Sequence, residues 1–132
     1  MEITYKTGFI PPVNSIISLY QSAGLVRPCD DSERIEKMYQ HANLIISAWH
    51  DSELVGVARS LTDFCYCCYL SDLAVKAEFQ KSGIGKKLIA LTREEIGEQT
   101  SLILLSASRA MNYYPAVGFD KIDNGFIINR KK

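Results

Sequence analysis

Four consecutive apolar residues towards the carboxyl end, Leu102-Ile103-Leu104-Leu105, limit the folds open to this chain. Successive side chains of a strand point to opposite faces, so a strand made of these residues is apolar on both faces. Both faces then need a covering layer, and such strands are typical of central positions in sheets that carry helices on both sides. We therefore expect a layered α/β fold with this run in a central strand.

The spacing of apolar residues elsewhere indicates the same class. Further strands are predicted where β-favouring residues alternate with polar ones or run together, at 2–6, 44–49, 53–60, 64–75, 119–122 and 126–129. Amphipathic helices are predicted at about 12–23, 31–42, 84–96 and 108–116. Asp30 and Glu33 have the spacing of a capping box, and the turn at 123–125 joins the last two strands as a hairpin. The sequence predicts a mixed central β-sheet of about six to seven strands flanked by about four helices.

The charge balance narrows the range of partners. The 132 residues include 15 basic and 15 acidic ones, so there is no net charge to attract a polyanion or an anionic membrane surface. We expect a single domain over residues 1–132, with no nucleic acid and no membrane among its partners. No stretch approaches the roughly 18 apolar residues of a membrane span, and we expect no leader segment.

The cysteines argue against a metal centre. Cys65, Cys67 and Cys68 follow the pattern C-x-C-C, which fits neither a disulfide framework nor a zinc site, and His41 and His50 are not spaced as ligands. We interpret the cysteines as small buried hydrophobic residues. Since thiols stay reduced in the cytoplasm, we expect a cytoplasmic protein without a bound metal.

The segment that carries chemistry joins the long strand to the third helix. Residues 80–85 open that helix, so backbone N–H groups without intrahelical partners converge at the positive end of its dipole. Gly83 and Gly85 leave room for a phosphate to reach these amides. Three lysines add positive charge close by: Lys81, Lys86 and Lys87. The spacing predicts a pyrophosphate site, but it excludes a dinucleotide fingerprint, whose third glycine is replaced by Leu88, and a P-loop, which needs Ser or Thr after its lysine.

Two motifs together resemble a known family. The pattern Gln80-x-x-Gly83-x-Gly85 follows a strand that ends in Asp-Leu-Ala-Val, and about thirty residues later Tyr114 stands four residues before Gly118-Phe119. In this order and at this distance they closely resemble the GNAT superfamily of acyl-CoA-dependent N-acetyltransferases. The resemblance covers nearly the whole chain in element order, and it implies the GNAT acyl-CoA N-acyltransferase fold.

The resemblance also implies a coenzyme site. In the family the glycine loop binds the pyrophosphate of coenzyme A through backbone amides, and the preceding strand pairs with the pantetheine arm. Acetyl-CoA is therefore the expected cosubstrate, bound by Leu73, Ala74, Val75, Gln80, Lys81, Ser82, Gly83, Ile84, Gly85 and Lys86. The resemblance further implies a bulge that splays this strand from its parallel neighbour at 102–105, and an unpaired N–H at or near 73–75 that polarises the thioester carbonyl.

Tyr114 matches the family tyrosine that is proposed to protonate the departing thiolate. A phenol with an ordinary pKa near 10 is a credible proton donor at neutral pH. The alternative is that Tyr113 and Tyr114 are core aromatics of a short helix, and we expect this packing role for Tyr113. The sequence departs from a common family pattern at Ala107, where many members carry an asparagine that binds the pantetheine.

A general base is harder to identify. An amine with a pKa near 10.4 costs about 4.6 kcal/mol to neutralise at pH 7, so an acid or a water relay should take up its proton. Asp72 in the central strand is the candidate base, and the alternative is an ionised residue that makes structural hydrogen bonds. Tyr69 stands where some protein-acetylating relatives carry a glutamate.

The function predicted from these residues is transfer of an acetyl group from acetyl-CoA to a primary amine of a small molecule or protein, by direct attack in a ternary complex. The alternative is an acyl-CoA-binding sensor or partner-docking module without catalysis. The resemblance implies an acceptor site formed by the segment 24–32, which contains Arg27, Asp30 and Asp31, and by the carboxy-terminal hairpin. The two aspartates could attract a cationic amine, and the alternative is that they cap a helix. The apolar residues of that hairpin also predict a homodimer.

Overall fold

The computed structural model describes residues 2–132, and its centre is one five-stranded mixed sheet. In both chain order and spatial order, the strands are β1 (Thr4–Thr7), β2 (Leu44–His50), β3 (Glu53–Thr62), β4 (Cys67–Val75) and β5 (Ser101–Ile103). The helices are α1 (Val13–Ala23), α2 (Ser32–Gln40), α3 (Ile84–Ile96) and the single turn α4 (Tyr113–Ala116), with 3-10 turns at Ala77–Phe79 and Ser108–Ala110. Strands β1 to β4 are antiparallel, whereas β5 is parallel to β4. The predicted fold class is confirmed.

The carboxyl end of the chain differs from the prediction. Residues 119–122 and 126–129 form no strands, so the sheet has five strands rather than six to seven. The apolar run 102–105 is therefore part of an edge strand, and the prediction of a central position was wrong. With no neighbour on its outer side, β5 leaves Ile103 42% exposed and the following Leu105 65% exposed.

Two hydrophobic layers cover the sheet. Helices α1 and α2 pack on one face, where Ile16, Leu19 and Ile35 are almost completely buried. Helix α3 packs on the opposite face through Leu88 and Ile89. Each helix contributes one apolar stripe, and the sheet contributes apolar residues to both faces.

A close approach positions the start of α3. A Cβ atom at Gly56 of β3 would lie 3.0 Å from Ile84 Cγ2 and 3.1 Å from Leu88 Cδ1, so a larger side chain would push the helix away. The glycine therefore lets the first turns of α3 lie directly on the sheet. This contact places the loop before α3 next to the carboxyl end of β4.

Helix ends largely follow the sequence signals. Gly24 and Gly97 end α1 and α3 as predicted. Helix α2 begins one residue later than the capping-box spacing indicates: the Asp31 carboxylate, rather than that of Asp30, accepts a hydrogen bond from the Arg34 N–H at 3.1 Å. An aspartate can satisfy a free amide of the first turn from the N-cap position, and here Asp31 occupies that position.

Candidate active site

The parallel strands β4 and β5 separate after a short paired region. Cys67, Cys68 and Tyr69 pair with 101–103, and beyond these residues β4 continues to Val75 beside β3 alone. The two strands therefore leave a V-shaped opening between 70–75 and 104–107. The resemblance to GNAT enzymes predicts such a gap between these two segments.

A bulge at Ser71 starts the opening. Arg59 of β3 pairs with Asp72 and the next residue, Ser60, pairs with Leu70, so Ser71 has no partner in the ladder. Because of this one extra residue, the side chains that follow it point to the opposite face of the sheet from the one that strict alternation would give them. Leu70 accordingly belongs to the core under α3, whereas Asp72, two residues later, points to the face covered by α1 and α2.

Beyond the bulge, alternate backbone groups of β4 face the opening. The Lys76 N–H donates to the Val55 carbonyl of the neighbouring strand segment at 2.8 Å. In an antiparallel ladder every second N–H points to the same partner strand, so the N–H of Ala74 also points towards β3. The N–H groups of Leu73 and Val75 then point away from β3, into the opening.

The backbone of the loop before α3 contains two left-handed residues. Lys81 and Gly83 both have positive φ, 66° and 87°, on either side of Ser82. The left-handed Gly83 is followed directly by the right-handed first residue of α3, and such a pair turns successive N–H groups towards one point. Lys81 is not a glycine, so its conformation is strained, and such strain persists only where the surroundings hold it. No acidic side chain stands in the first turn of α3 to compete with a bound anion.

Two side chains hold this loop in place. The Gln80 side-chain amide donates to the Val75 carbonyl at 2.9 Å, and the Ser82 hydroxyl donates to the Phe79 carbonyl. Both side chains form hydrogen bonds within the protein. They would therefore support a ligand site by fixing the position of the loop backbone. The glutamine in the sequence motif thus connects the end of β4 to the loop.

Gly85 marks the point where the loop, β4 and α4 meet. A Cβ atom on Gly85 would lie 2.7 Å from the Tyr113 hydroxyl oxygen and 3.7 Å from Val75 Cγ2. A Cβ atom on Gly83 would have no atom within 4 Å. The two motif glycines therefore have different roles. Gly83 adopts the positive φ that the turn requires, and Gly85 leaves room for the Tyr113 hydroxyl to approach the helix backbone.

Tyr114 lies in a small aromatic group and lines a cavity with residues 102–106. Its ring packs edge-to-face on Tyr113, with centroids 5.2 Å apart, and on Phe119 at 5.5 Å. The Phe119 N–H donates to the Tyr114 carbonyl at 3.0 Å, and Gly118 turns the chain back with a φ of 103°. Burial, together with the neighbouring Tyr113, raises the pKa of Tyr114, so its hydroxyl carries a proton at neutral pH.

A buried ionic cluster surrounds the bulge. The fully buried Asp72 carboxylate accepts hydrogen bonds at 2.7 Å from the Tyr20 hydroxyl, Arg27 Nε and Arg59 Nε, and one at 3.2 Å from the Ser71 hydroxyl. Burial alone would raise the pKa of Asp72. The hydrogen bond and positive charge of Arg59, with Arg27 and Tyr20, outweigh burial and hold that pKa below its ordinary value.

The cluster extends to both helices of the α1 and α2 face. Tyr39 of α2 lies 2.5 Å from the Tyr20 hydroxyl, and since Tyr20 gives its proton to Asp72, Tyr39 is the donor. Arg27, in the segment between α1 and α2, also donates to the Ser71 carbonyl at 2.8 Å. The predicted acceptor segment is thereby connected directly to the bulge.

Comparison with known proteins decides the family. A family model described as an acetyltransferase (GNAT) domain matches residues 22–129. The chain belongs to the GNAT family. A curated GNAT relative from Arabidopsis thaliana, GCN5-related N-acetyltransferase 2, chloroplastic, is 29% identical over 80 residues, which are 57% of this chain and 30% of that protein. The match therefore spans less than a third of the relative's length.

Solved structures show the same GNAT fold. The Staphylococcus aureus protein SA2161 superposes with a TM-score of 0.83 at 20% identity, covering 98% of this chain and 100% of that one. The GNAT family protein SP0256 of Streptococcus pneumoniae gives 0.75 at 24% identity, with 98% and 100% covered. Aminoglycoside N-acetyltransferase AAC(6')-Iy, solved in complex with CoA, gives 0.74 at 14% identity, with 99% and 96% covered.

Two of the GNAT motifs are adjacent in the structure. A Cβ atom on Gly85 of the loop would lie near both Val75 of β4 and the Tyr113 hydroxyl, and the Tyr113 ring packs on Tyr114. That the loop, the strand residues 73–75 and Tyr114 together bind the coenzyme stays a prediction. The Asp72 side chain lies on the opposite side of β4, within the ionic cluster. The geometry favours the alternative considered for Asp72, an ionised residue with structural hydrogen bonds.

Three residues of the site region were missed by sequence reasoning. Tyr20 and Arg59 complete the ionic cluster, and Tyr113 reaches the glycine loop instead of serving only as packing. Nothing local in the sequence marks Arg59, because its position opposite Asp72 depends on strand register. Within residues 2–132, no three His, Cys, Asp or Glu side chains converge in a way that could hold a metal ion. None of the described helices is long and apolar enough to cross a membrane.

Proposed function

We propose that this GNAT protein is an N-acetyltransferase that transfers an acetyl group from acetyl-CoA to a primary amine of a small molecule or protein. The observation that carries the proposal is the separation of β4 from β5 beyond their paired residues, with the glycine loop after the end of β4 and the protonated Tyr114 beside residues 102–106. Family membership and the CoA complex of the related aminoglycoside N-acetyltransferase support the choice of coenzyme.

The residues of the opening fit coenzyme A. The left-handed Gly83 and the free amides that begin α3 suit a pyrophosphate, which lysines on the same loop would partly neutralise. The exposed backbone edge of 73–75 suits an extended amide chain such as pantetheine, added like a further strand. When bound, acetyl-CoA supplies an activated acetyl thioester.

Two groups of the protein would act on the thioester. An N–H of Leu73 or Val75, directed into the opening, would donate to the carbonyl oxygen as negative charge develops on it. The Tyr114 hydroxyl would donate its proton to the departing sulfur. The amine would attack directly in a ternary complex, so no acyl group is transferred to the protein.

The acceptor amine must lose a proton before or during attack. Asp72 is a weak candidate for the base, because both of its oxygens already accept hydrogen bonds from cationic or hydroxyl donors. We therefore favour a water relay to solvent. The cost of neutralising a lysine-like amine, about 4.6 kcal/mol at pH 7, predicts a rate that rises with pH above neutrality.

The proposal is tested by incubating the protein with acetyl-CoA and a panel of primary amines, and by measuring the acetylated amine by mass spectrometry. Thiol-reactive dyes would also label the exposed Cys65 and Cys67, so product mass is the better readout. We expect acetylation of at least one amine class. Coenzyme binding without turnover of any amine would favour the sensor instead, and absence of coenzyme binding would contradict both.

Replacement of a loop glycine should weaken coenzyme binding. Gly85→Asp places a side chain and a negative charge at the amides of the first turn of α3. An acidic residue is favourable for the helix itself at this position, but the Tyr113 side chain must shift, because its hydroxyl lies 2.7 Å from the new Cβ. Circular dichroism should show that the variant is folded before its affinity is compared. We expect calorimetry to show the affinity for acetyl-CoA reduced more than tenfold, or about 1.4 kcal/mol. Gly83→Asp should act similarly but adds backbone strain at a φ of 87°.

Gly125→Asp is the matched control, because it adds the same charge where a Cβ meets no atom within 4 Å. Its affinity should equal that of the wild type. An unchanged affinity in folded Gly85→Asp protein would show that the coenzyme binds elsewhere.

We also propose a homodimer formed by the carboxy-terminal segment 119–132. Phe126 and Ile128 are 100% and 99% exposed, and the outer edge of β5 has no strand beside it. The apolar segment of one copy could pack along the open edge of β5 in a second copy. Because each copy has both surfaces, we propose a second copy of this chain as the partner.

Sedimentation at micromolar concentration should show a species of twice the chain mass of 14.8 kDa. Phe126→Asp combined with Ile128→Asp should return it to the monomer, because charged residues would have to be buried in the interface. A wild-type protein that sediments only as a monomer contradicts the dimer and leaves the catalytic proposal unaffected.

A further inference from the structure

Tyr113 occupies an unexpected position for a packing residue. Its hydroxyl oxygen lies 2.7 Å from the place of a Cβ on Gly85, the second residue of α3, and its ring is only partly buried. Val75 Cγ2 lies 3.7 Å from the same point. The hydroxyl is thus at the junction between the anion-binding loop and the end of β4.

The Tyr113 hydroxyl is free to bond to a ligand. The buried hydroxyls of Tyr20 and Tyr39 are both hydrogen-bonded, whereas that of Tyr113 makes no hydrogen bond to any group of residues 2–132. Its ring is held from the side by the edge-to-face contact with Tyr114. Burial raises the pKa of Tyr113, so the hydroxyl remains a proton-carrying donor at neutral pH.

We propose that Tyr113 is a coenzyme-binding residue whose hydroxyl donates a hydrogen bond to the pyrophosphate. This inference rests on the proposed function, because it takes the loop at 80–86 to be the coenzyme site. Gly85 has no side chain, so an anion held by the first amides of α3 lies within reach of the hydroxyl. The two adjacent tyrosines then have separate roles: Tyr113 binds the pyrophosphate of the coenzyme, and Tyr114 donates the proton to the sulfur.

Tyr113→Phe tests the assignment, since it keeps the ring and its packing on Tyr114 but removes the donor. A hydrogen bond to a charged group contributes about 1.5–3 kcal/mol. Calorimetry should therefore show roughly a 10-fold to 100-fold weaker Kd for coenzyme A in the variant. The same loss is expected for 3′-phosphoadenosine 5′-diphosphate, which keeps the pyrophosphate and lacks pantetheine.

Tyr114→Phe is the matched control, and its Kd for both ligands should equal that of the wild type. S-acetylpantetheine, an acetyl donor without pyrophosphate, should be used equally well by wild type and Tyr113→Phe. A merely structural role of the ring would leave every Kd unchanged, because phenylalanine keeps the ring.

Three results would overturn the inference. An unchanged Kd for coenzyme A would show that the hydroxyl does not contact it. A loss for coenzyme A without a loss for the diphosphate would place the contact on pantetheine. Failure of the wild type to bind coenzyme A would contradict the proposed function itself, so the two failures are distinguishable.

Discussion

Tyr114→Phe should lower kcat by roughly 10² to 10⁴ while the Kd for acetyl-CoA stays close to the wild-type value. Phenylalanine keeps the edge-to-face contacts with Tyr113 and Phe119 and removes only the hydroxyl. Proton transfer to sulfur matters in the transition state and not in the bound ground state, so the loss should fall on kcat. Steady-state rates with the best amine of the panel, together with calorimetry, measure the two quantities.

Tyr66→Phe is a suitable control, since that tyrosine is 79% exposed on the surface and should be neutral. Single-turnover rates are needed as well, because slow product release would hide a change in the chemical step. A wild-type single-turnover rate in Tyr114→Phe would show that water or another group protonates the sulfur. Tyr113→Phe is expected to weaken the Kd for the coenzyme, whereas Tyr114→Phe is expected to lower kcat and leave that Kd unchanged. Measuring both variants therefore separates coenzyme binding from proton transfer.

Asp72→Asn should be the most destabilising of the substitutions considered. It leaves Arg27 and Arg59 close together without their shared carboxylate, and removing one partner of a buried ion pair costs about 3–5 kcal/mol. Urea unfolding at pH 7 should show a much lower midpoint. Asp51→Asn removes the same charge from an exposed turn and should leave the midpoint nearly unchanged.

The wild-type protein allows the same test without a variant. Because the pKa of Asp72 is lower in the folded state than its ordinary value, folding favours the ionised form. The stabilisation is complete above the unfolded pKa near 3.9, and it is lost as the pH falls through the folded pKa. Urea midpoints should therefore be flat from pH 7 to about pH 5 and fall at lower pH. A constant midpoint down to pH 3 would contradict the ion pairs.

Most of the local structure could be predicted from the sequence. The helical periodicity at 84–96, the glycine pair before it and the turn around Gly118 each depend on residues close together in the chain. Hydrogen bonds within a helix and backbone preferences at glycine act over four residues or fewer, so a short window contains the needed information. The loop that we predict to bind the coenzyme was recognised for this reason.

The surroundings of Asp72 could not be predicted in the same way. Its partners Arg59, Arg27 and Tyr20 stand 13, 45 and 52 residues away, on another strand, a loop and a helix. Which of two strand faces a residue occupies changes with a register shift of one, and the bulge at Ser71 makes that shift. The Asp72 carboxylate, a candidate base in the sequence, therefore has both of its oxygens occupied by structural hydrogen bonds.

The sequence by itself determined the α/β class, and it identified the glycine loop and Tyr114 as candidate site residues, because each follows from local periodicity or from a short motif. Tertiary structure alone decided that β5 lies at an edge, that Asp72 faces the ionic cluster, and that the Tyr113 hydroxyl lies against Gly85. These outcomes depend on which distant segments pack together, and that depends on the free energy of the whole chain rather than on any short stretch of it.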